Sequence, residues 1–251
     1  LKGVGFFLGA ALLTNLGFRG AIAIMAGCLV VILMLSFLLL QKDLGKTKYK
    51  PKFTDIFSKS AAINRLSAAR FFLFASRDIW FVIALPVFLQ ENLHWNYNEV
   101  GTLLAAWVIG YGFVQSATPL ITGIRRGKIP DGKTAMLWAI LLATMPLAIA
   151  GFLQQDWQAD KVLIIGLLAF GAIFAVNSAV HSYLIIAYAK EDGVSMDVGF
   201  YYMANALGRL TGTILSGWIY QISGLITCLI VSAIFIIITS LLSIALPRHR
   251  A

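Results

Sequence analysis

Long apolar runs, each about the length of a bilayer-crossing helix, recur along nearly the whole chain. A helix needs about 20 mainly apolar residues to cross roughly 30 Å of hydrocarbon. Eight stretches reach or approach that length, at approximately 1–17, 20–40, 66–90, 98–123, 134–154, 162–188, 197–221 and 223–247. In lipid, backbone polar groups must be paired within the protein, and runs this long do so as helices. Composition agrees. Only 12% of the 251 residues are charged and 59% are apolar, against about 25% charged in a soluble domain. A water-soluble enzyme, a disordered chain and a nucleic-acid-binding module are excluded, despite a net charge of +9. The expected fold class is all-α, a polytopic membrane helix bundle.

The distribution of basic residues sets the orientation. The link after the second stretch holds Lys42, Lys46, Lys48, Lys50, Lys52, Lys59 and Arg65. Its neighbour, Glu91 to Glu99, has no Lys or Arg. The next link has Arg125, Arg126, Lys128 and Lys133, and the one after it only Lys161 beside Asp156 and Asp160. Lys190 precedes the seventh stretch, and Arg248 and Arg250 follow the eighth. With Lys2, alternate loops collect 15 basic residues against two, Arg19 and Lys161. The basic link and the C-terminus are therefore expected on the cytoplasmic side. The basic loops account for the net charge without a nucleic-acid partner. Trp95, Tyr97 and Trp157 fall at the outer interface, where aromatic rings anchor spans.

Two stretches, a basic link and six more closely spaced stretches suggest a parent chain of six plus six spans. The first stretch begins at Leu1 without a signal-peptide pattern, so further spans are expected before it. On that reading, 1–40 carries the last two spans of the N-terminal half. Residues 41–65 are a cytoplasmic linker, and 66–251 are the C-terminal six-helix half.

Ionisable groups at bilayer depth cost about 2.5 kcal/mol or more each, and so mark cavities or partners. The third stretch carries Arg70, Arg77 and Asp78. Arg70 lies about one turn inside the cytoplasmic end, where snorkelling to the interface is the expected reading. Arg77 is close to the midplane, where an anion contact competes with a buried ion pair. Asp78 is either the partner of such a pair or a proton-coupling carboxylate. In the seventh stretch Tyr202, Asn205 and Arg209 are spaced i, i+3, i+7, on one side of the helix.

Two guanidinium groups at similar depth suit a multiply charged anion, because arginine offers a permanently charged, planar fork. Asn177 and His181 share a face of the sixth stretch; His181 is either hydrogen-bonded to another helix or handles protons. Trp107, Tyr111 and Gln115 follow at one-turn steps in the fourth, as helix packing or as a substrate wall. The candidate substrate-binding set is Arg77, Arg209, Asn205, Tyr202, Asn177, Tyr111 and Gln115, with Asp78 and His181 as proton-coupling candidates. The fifth and eighth stretches lack such groups and read as supports facing lipid. Gly208, Gly212 and Ser216 have the small-xxx-small spacing of close helix packing.

Cys28 and Cys228 lie apart in apolar runs, so neither a disulfide nor a metal site is indicated. No P-loop, paired acids or Ser/His/Asp set occurs, and neither an enzyme nor a cofactor is expected.

The six-plus-six layout and the stretch NALGRLTGTILSGWIYQISG (205–224) resemble the major facilitator superfamily and its eleventh helix. The link GIRRGKIPDGK (123–133) stands where that superfamily repeats a loop motif, without the usual acid before the arginines. The stretches KGVGFFLGAALL, QKDLGKTKYKPKF, LSAARFFLFASRDIWFVIALPVFL, WVIGYGFVQS and YYMANALGRLTGTILSG are similar to the organoarsenical efflux permeases of the ArsJ type. That resemblance implies export of 1-arseno-3-phosphoglycerate, an ester made when glyceraldehyde-3-phosphate dehydrogenase uses arsenate, and hence arsenate resistance. The dehydrogenase would be a functional partner. A transporter of another organic phosphate or carboxylate keeps the same fold, and a non-transporting sensor or assembly subunit is the reading from another class. Proton antiport and uniport remain alternatives.

Overall fold

In the computed structural model, the residues described are 2–39, 60–123, 127, 129–155, 157–189 and 194–248. Lys42 to Lys59 of the basic link, the Arg125, Arg126 and Lys128 group, Asp156, Lys190 and Arg250 lie outside them. Among the described residues the elements are all helical: α1 (Lys2–Leu39), α2 (Ala61–Phe81), α3 (Ala84–Glu91), α4 (Tyr97–Ile121), α5 (Gly132–Gln154), α6 (Ala159–Tyr188) and α7 (Val194–Ile244). Six helical stretches among them are long and apolar enough to cross a membrane.

Two of these stretches are broken at a glycine. α1 breaks at Gly17 (φ 66°) and α7 at Gly224 (φ 74°), left-handed conformations that favour glycine. At Gly224 the chain folds back. Cys228 Sγ lies 3.9 Å from the Ser216 carbonyl, twelve residues earlier, where a continuous helix would separate them by about 18 Å. Taking both breaks into account, the described residues hold eight apolar segments, matching the eight stretches read from the sequence.

The 66–90 stretch departs from a single helix. It opens at Val82–Ile83 and restarts as α3, because Pro86 lacks an N–H and its ring clashes with the carbonyl four residues back, at Val82. Ser216 of α7 repairs part of the break. Its Oγ accepts the Ala84 N–H at 3.1 Å.

The helix ends gather in two groups. At the linker end Arg65 Nη1 donates to the Ala245 carbonyl (2.9 Å), Tyr188 Oη to the Pro247 carbonyl (3.0 Å), and Gly132 N–H to the same Pro247 (3.2 Å). At the opposite end Trp95 Nε1 donates to Asp160 Oδ1 (3.1 Å), and Trp157 is exposed beside Phe152. Capping boxes start two helices: Asn96 with Glu99 on α4, and Asp131 with Thr134 on α5.

The apolar core runs between α2, α4, α5, α6 and α7, with Trp80, Phe170 and Phe174 fully buried. α2 lies against both arms of α7, and α5 packs on α6 and α7. α1 meets α4 where Gly101 leaves room for Ala10.

Candidate functional site

The close approach of α2 and α7 places the ionisable groups. A Cβ at Gly208 would strike the Phe71 backbone, and one at Gly212 would come within 2.6 Å of the Ala75 carbonyl oxygen and 3.0 Å of Asp78 Cβ. Ser216 continues the same stripe to the Ala84 N–H. With no side chain at Gly208 or Gly212, the first arm of α7 lies on the α2 backbone, and the next residue after Gly208 is Arg209.

Asp78 stands at that crossing, wholly buried. Its Oδ1 accepts from Arg77 Nε at 2.6 Å and its Oδ2 from Arg209 Nε at 3.2 Å. One carboxylate thus serves two guanidinium groups, and the trio keeps a net positive charge. Both arginines spend Nε on it; among the described residues their terminal Nη groups have no hydrogen-bond partner. Arg77 is nearly enclosed, its side chain 13% exposed, while that of Arg209 is 48% exposed. The Arg77 guanidinium also lies over the rings of Phe74 (5.0 Å) and Phe174 (5.4 Å), a cation–π setting that holds the charge without neutralising it.

Arg70 corrects the sequence reading. It does not snorkel: it is buried and points into the bundle. Its Nε donates to Asn205 Oδ1 (3.1 Å), and its Nη1 to the Ser178 carbonyl (3.0 Å) and Ser178 Oγ (3.1 Å). The rings of Phe74 and Tyr201 lie 4.0 and 5.0 Å from its guanidinium carbon. No carboxylate pairs with it among the described residues. The reason is the i, i+4, i+7 spacing of Arg70, Phe74 and Arg77, which keeps all three on the face that meets α6 and α7. The sequence carries that signal, because Arg70 and Arg77 share a face seven residues apart.

The other candidates lie in different surroundings. Asn205 joins the cluster through Arg70. Asn177 and His181 are wholly buried, and their side-chain nitrogen and oxygen atoms have no partner among the described residues. Tyr202 is 54% exposed, and it is its neighbour Tyr201 that covers Arg70. Tyr111 stacks on Trp107 (5.6 Å) and meets Phe174 (6.0 Å), one ring behind the Arg77 site. Trp107 itself donates Nε1 to the Leu167 carbonyl (2.9 Å) and packs in the core. Gln115 is half-buried one turn beyond Tyr111.

A groove lies elsewhere, at the Gly224 end, between α3 and the fold-back of α7. Its lining includes Glu91, Asn92, Tyr220 and Gln221. The charged side chain in that lining is the Glu91 carboxylate. Among the described residues no group of three or more His, Cys, Asp or Glu side chains could hold a metal. Cys228 is buried and Cys28 exposed, both as free thiols.

The family model described as Major Facilitator Superfamily matches residues 66–251. The chain belongs to the major facilitator superfamily. It is accordingly a multi-pass secondary membrane transporter. No curated protein and no solved structure matches it.

Proposed function

We propose that this major facilitator transporter carries a small organic anion bearing a phosphate-like group, and that Arg77 and Arg209 hold that group. The observation that carries the reading is the shared carboxylate. Asp78 fixes two guanidinium groups from different helices through Nε and leaves their Nη donors to a ligand, in surroundings that retain positive charge. A phosphate or arsenate oxygen fits such paired, charge-assisted donors. What favours a ligand over a purely structural triad is that the Nη groups of both arginines have no hydrogen-bond partner among the described residues.

Because α2 and α7 each supply one arginine, a bound anion ties the two helices together more firmly than Asp78 does alone. Occupancy of the site then stiffens the half that carries both helices.

Within that class the proposed cargo is 1-arseno-3-phosphoglycerate, exported from a bacterial cytoplasm, with the basic link and C-terminus on the cytoplasmic side. The polar segments KDLGK, SRDIWF and MANALGR support this through their similarity to organoarsenical efflux permeases, and the ester's charged ends suit a positive cluster. Uptake of the ester into everted vesicles, with and without a pH gradient, tests transport and its coupling. Co-expression with glyceraldehyde-3-phosphate dehydrogenase in an arsenate-sensitive host tests the cargo. Protection supports the arsenate ester; uptake of other organic phosphates without protection assigns a different phosphate.

A further inference from the structure

Beside the Asp78 trio lies a second polar nook, on the face where α2 meets α6. Phe170 packs on Trp80 and Phe174 on Phe74, and one step further along the same antiparallel contact Arg70 reaches Ser178. Asn177 and His181 follow Phe170 and Phe174 at helical spacing, so they share the α6 face that meets α2. Ser67 is one turn before Arg70 on α2.

Ser67 Oγ, both polar atoms of the Asn177 amide and both ring nitrogens of His181 are buried and have no hydrogen-bond partner among the described residues. Buried polar atoms are almost always paired, and each that is not calls for a ligand or an ordered water. Ser67 is on the same helix face one turn from Arg70, and Asn177 precedes Ser178, which accepts from Arg70; that guanidinium has no acid among the described residues, and its Nη2 makes no hydrogen bond among them.

We infer that Arg70, with Ser67, Asn177 and His181, forms a second anion subsite that takes the far end of a substrate charged at both ends, while Arg77 and Arg209 take the near end. This rests on the anion-transport reading above and narrows its substrate class to two-ended anions. Phe74 sets the separation: its ring centre is 4.0 Å from the Arg70 guanidinium carbon and 5.0 Å from that of Arg77. The two cations are therefore at most about 9 Å apart. Anionic groups four to six bonds apart on an extended skeleton are separated by about 5–7 Å, which lets one molecule reach both. The donors match an anionic group. The guanidinium supplies charge, the Asn177 amide and Ser67 hydroxyl are neutral donors, and the imidazole presents one N–H in its neutral form.

The test compares equilibrium binding of two probes to the purified full chain: 3-phosphoglycerate, anionic at both ends, and glycerol 3-phosphate, anionic at one. The wild-type protein should prefer 3-phosphoglycerate by about ten-fold or more, the value of a charge-assisted contact at the far end. Arg70→Gln should abolish the preference by weakening 3-phosphoglycerate alone. Asn177→Ala and His181→Gln, which keep all the arginines, should reduce it in the same selective way and serve where Arg70→Gln fails to fold. Equal affinity of the wild-type protein for the two probes, or variants that weaken both equally or neither, would overturn the subsite. So would a ligand-bound structure with only water between Arg70 and His181, and all three outcomes leave the Arg77–Arg209 reading standing. Failure of the wild-type protein to bind either probe would defeat that reading, and the subsite with it.

Discussion

Arg77, on α2, and Arg209, on α7, donate through Nε to opposite oxygens of one buried carboxylate, at 2.6 and 3.2 Å. Neither arginine has an acid of its own among the described residues. Asp78 therefore acts as a clip between the two helices and directs two guanidinium groups.

Replacing Asp78 by Asn keeps the shape but removes the charge that both arginines share. Breaking a buried pair by deleting one partner costs about 3–5 kcal/mol, because the other charge stays uncompensated. Asp78→Asn should lower the thermal unfolding midpoint of the purified protein. Adding Arg77→Gln to it should restore much of the loss, since the enclosed unpaired cation is then gone. A single variant as stable as the parent would show that the clip does not hold the helices.

Arg209 separates stability from ligand binding. Its side chain is 48% exposed, so solvent screens its pairing with Asp78, and truncation should change stability by less than about 1 kcal/mol. Arg209→Lys keeps the charge but loses the planar fork. It should weaken phosphate-ester binding by about ten-fold while leaving the unfolding midpoint nearly unchanged. Comparable losses in both measurements would make Arg209 a structural residue.

Gly208 and Gly212 bring α7 onto the α2 backbone. A Cβ at Gly208 meets the Phe71 carbonyl, so Gly208→Ala should push the helices apart and destabilise by about 1–3 kcal/mol. Gly110 on α4 has open space around its Cβ position, and Gly110→Ala is the control that should leave folding unchanged. Thermal unfolding of the two variants side by side gives the comparison.

The helical architecture is legible in the sequence because bilayer thickness fixes helix length and the basic residues alternate from loop to loop. Two helices run through a turn at Gly17 and Gly224, yet bilayer length places a boundary within about three residues of each. The opening at Val82–Ile83 is less legible. Pro86 signals a bend, but its repair by Ser216 Oγ is a contact between segments 130 residues apart, which periodicity does not reveal. The site is legible in part. Spacing puts Arg77 and Arg209 at one depth and Asn205 on the side of Arg209, and the structure brings these groups together. Distance from the helix end misplaces Arg70, because the face it shares with Arg77 decides where its side chain goes. A stripe drawn on an isolated helix picks Tyr202 over Tyr201, because it does not show which neighbour the helix turns toward.

The orientation proposed from charge is open to a direct check. Single cysteines at Lys48 and His94, in a background lacking Cys28 and Cys228, should label from opposite sides of the membrane. The Lys48→Cys site should react only with reagent on the cytoplasmic side, and His94→Cys only from outside. Labelling of both from one side would contradict the crossing pattern.

The most direct measurement is the affinity of the purified full chain for 3-phosphoglycerate, compared at fixed ionic strength with Arg77→Gln and Arg209→Gln. The two arginines acting as one phosphate clamp predict that each variant, still folded, loses about ten-fold or more in affinity. Unchanged affinity in either folded variant would contradict the clamp.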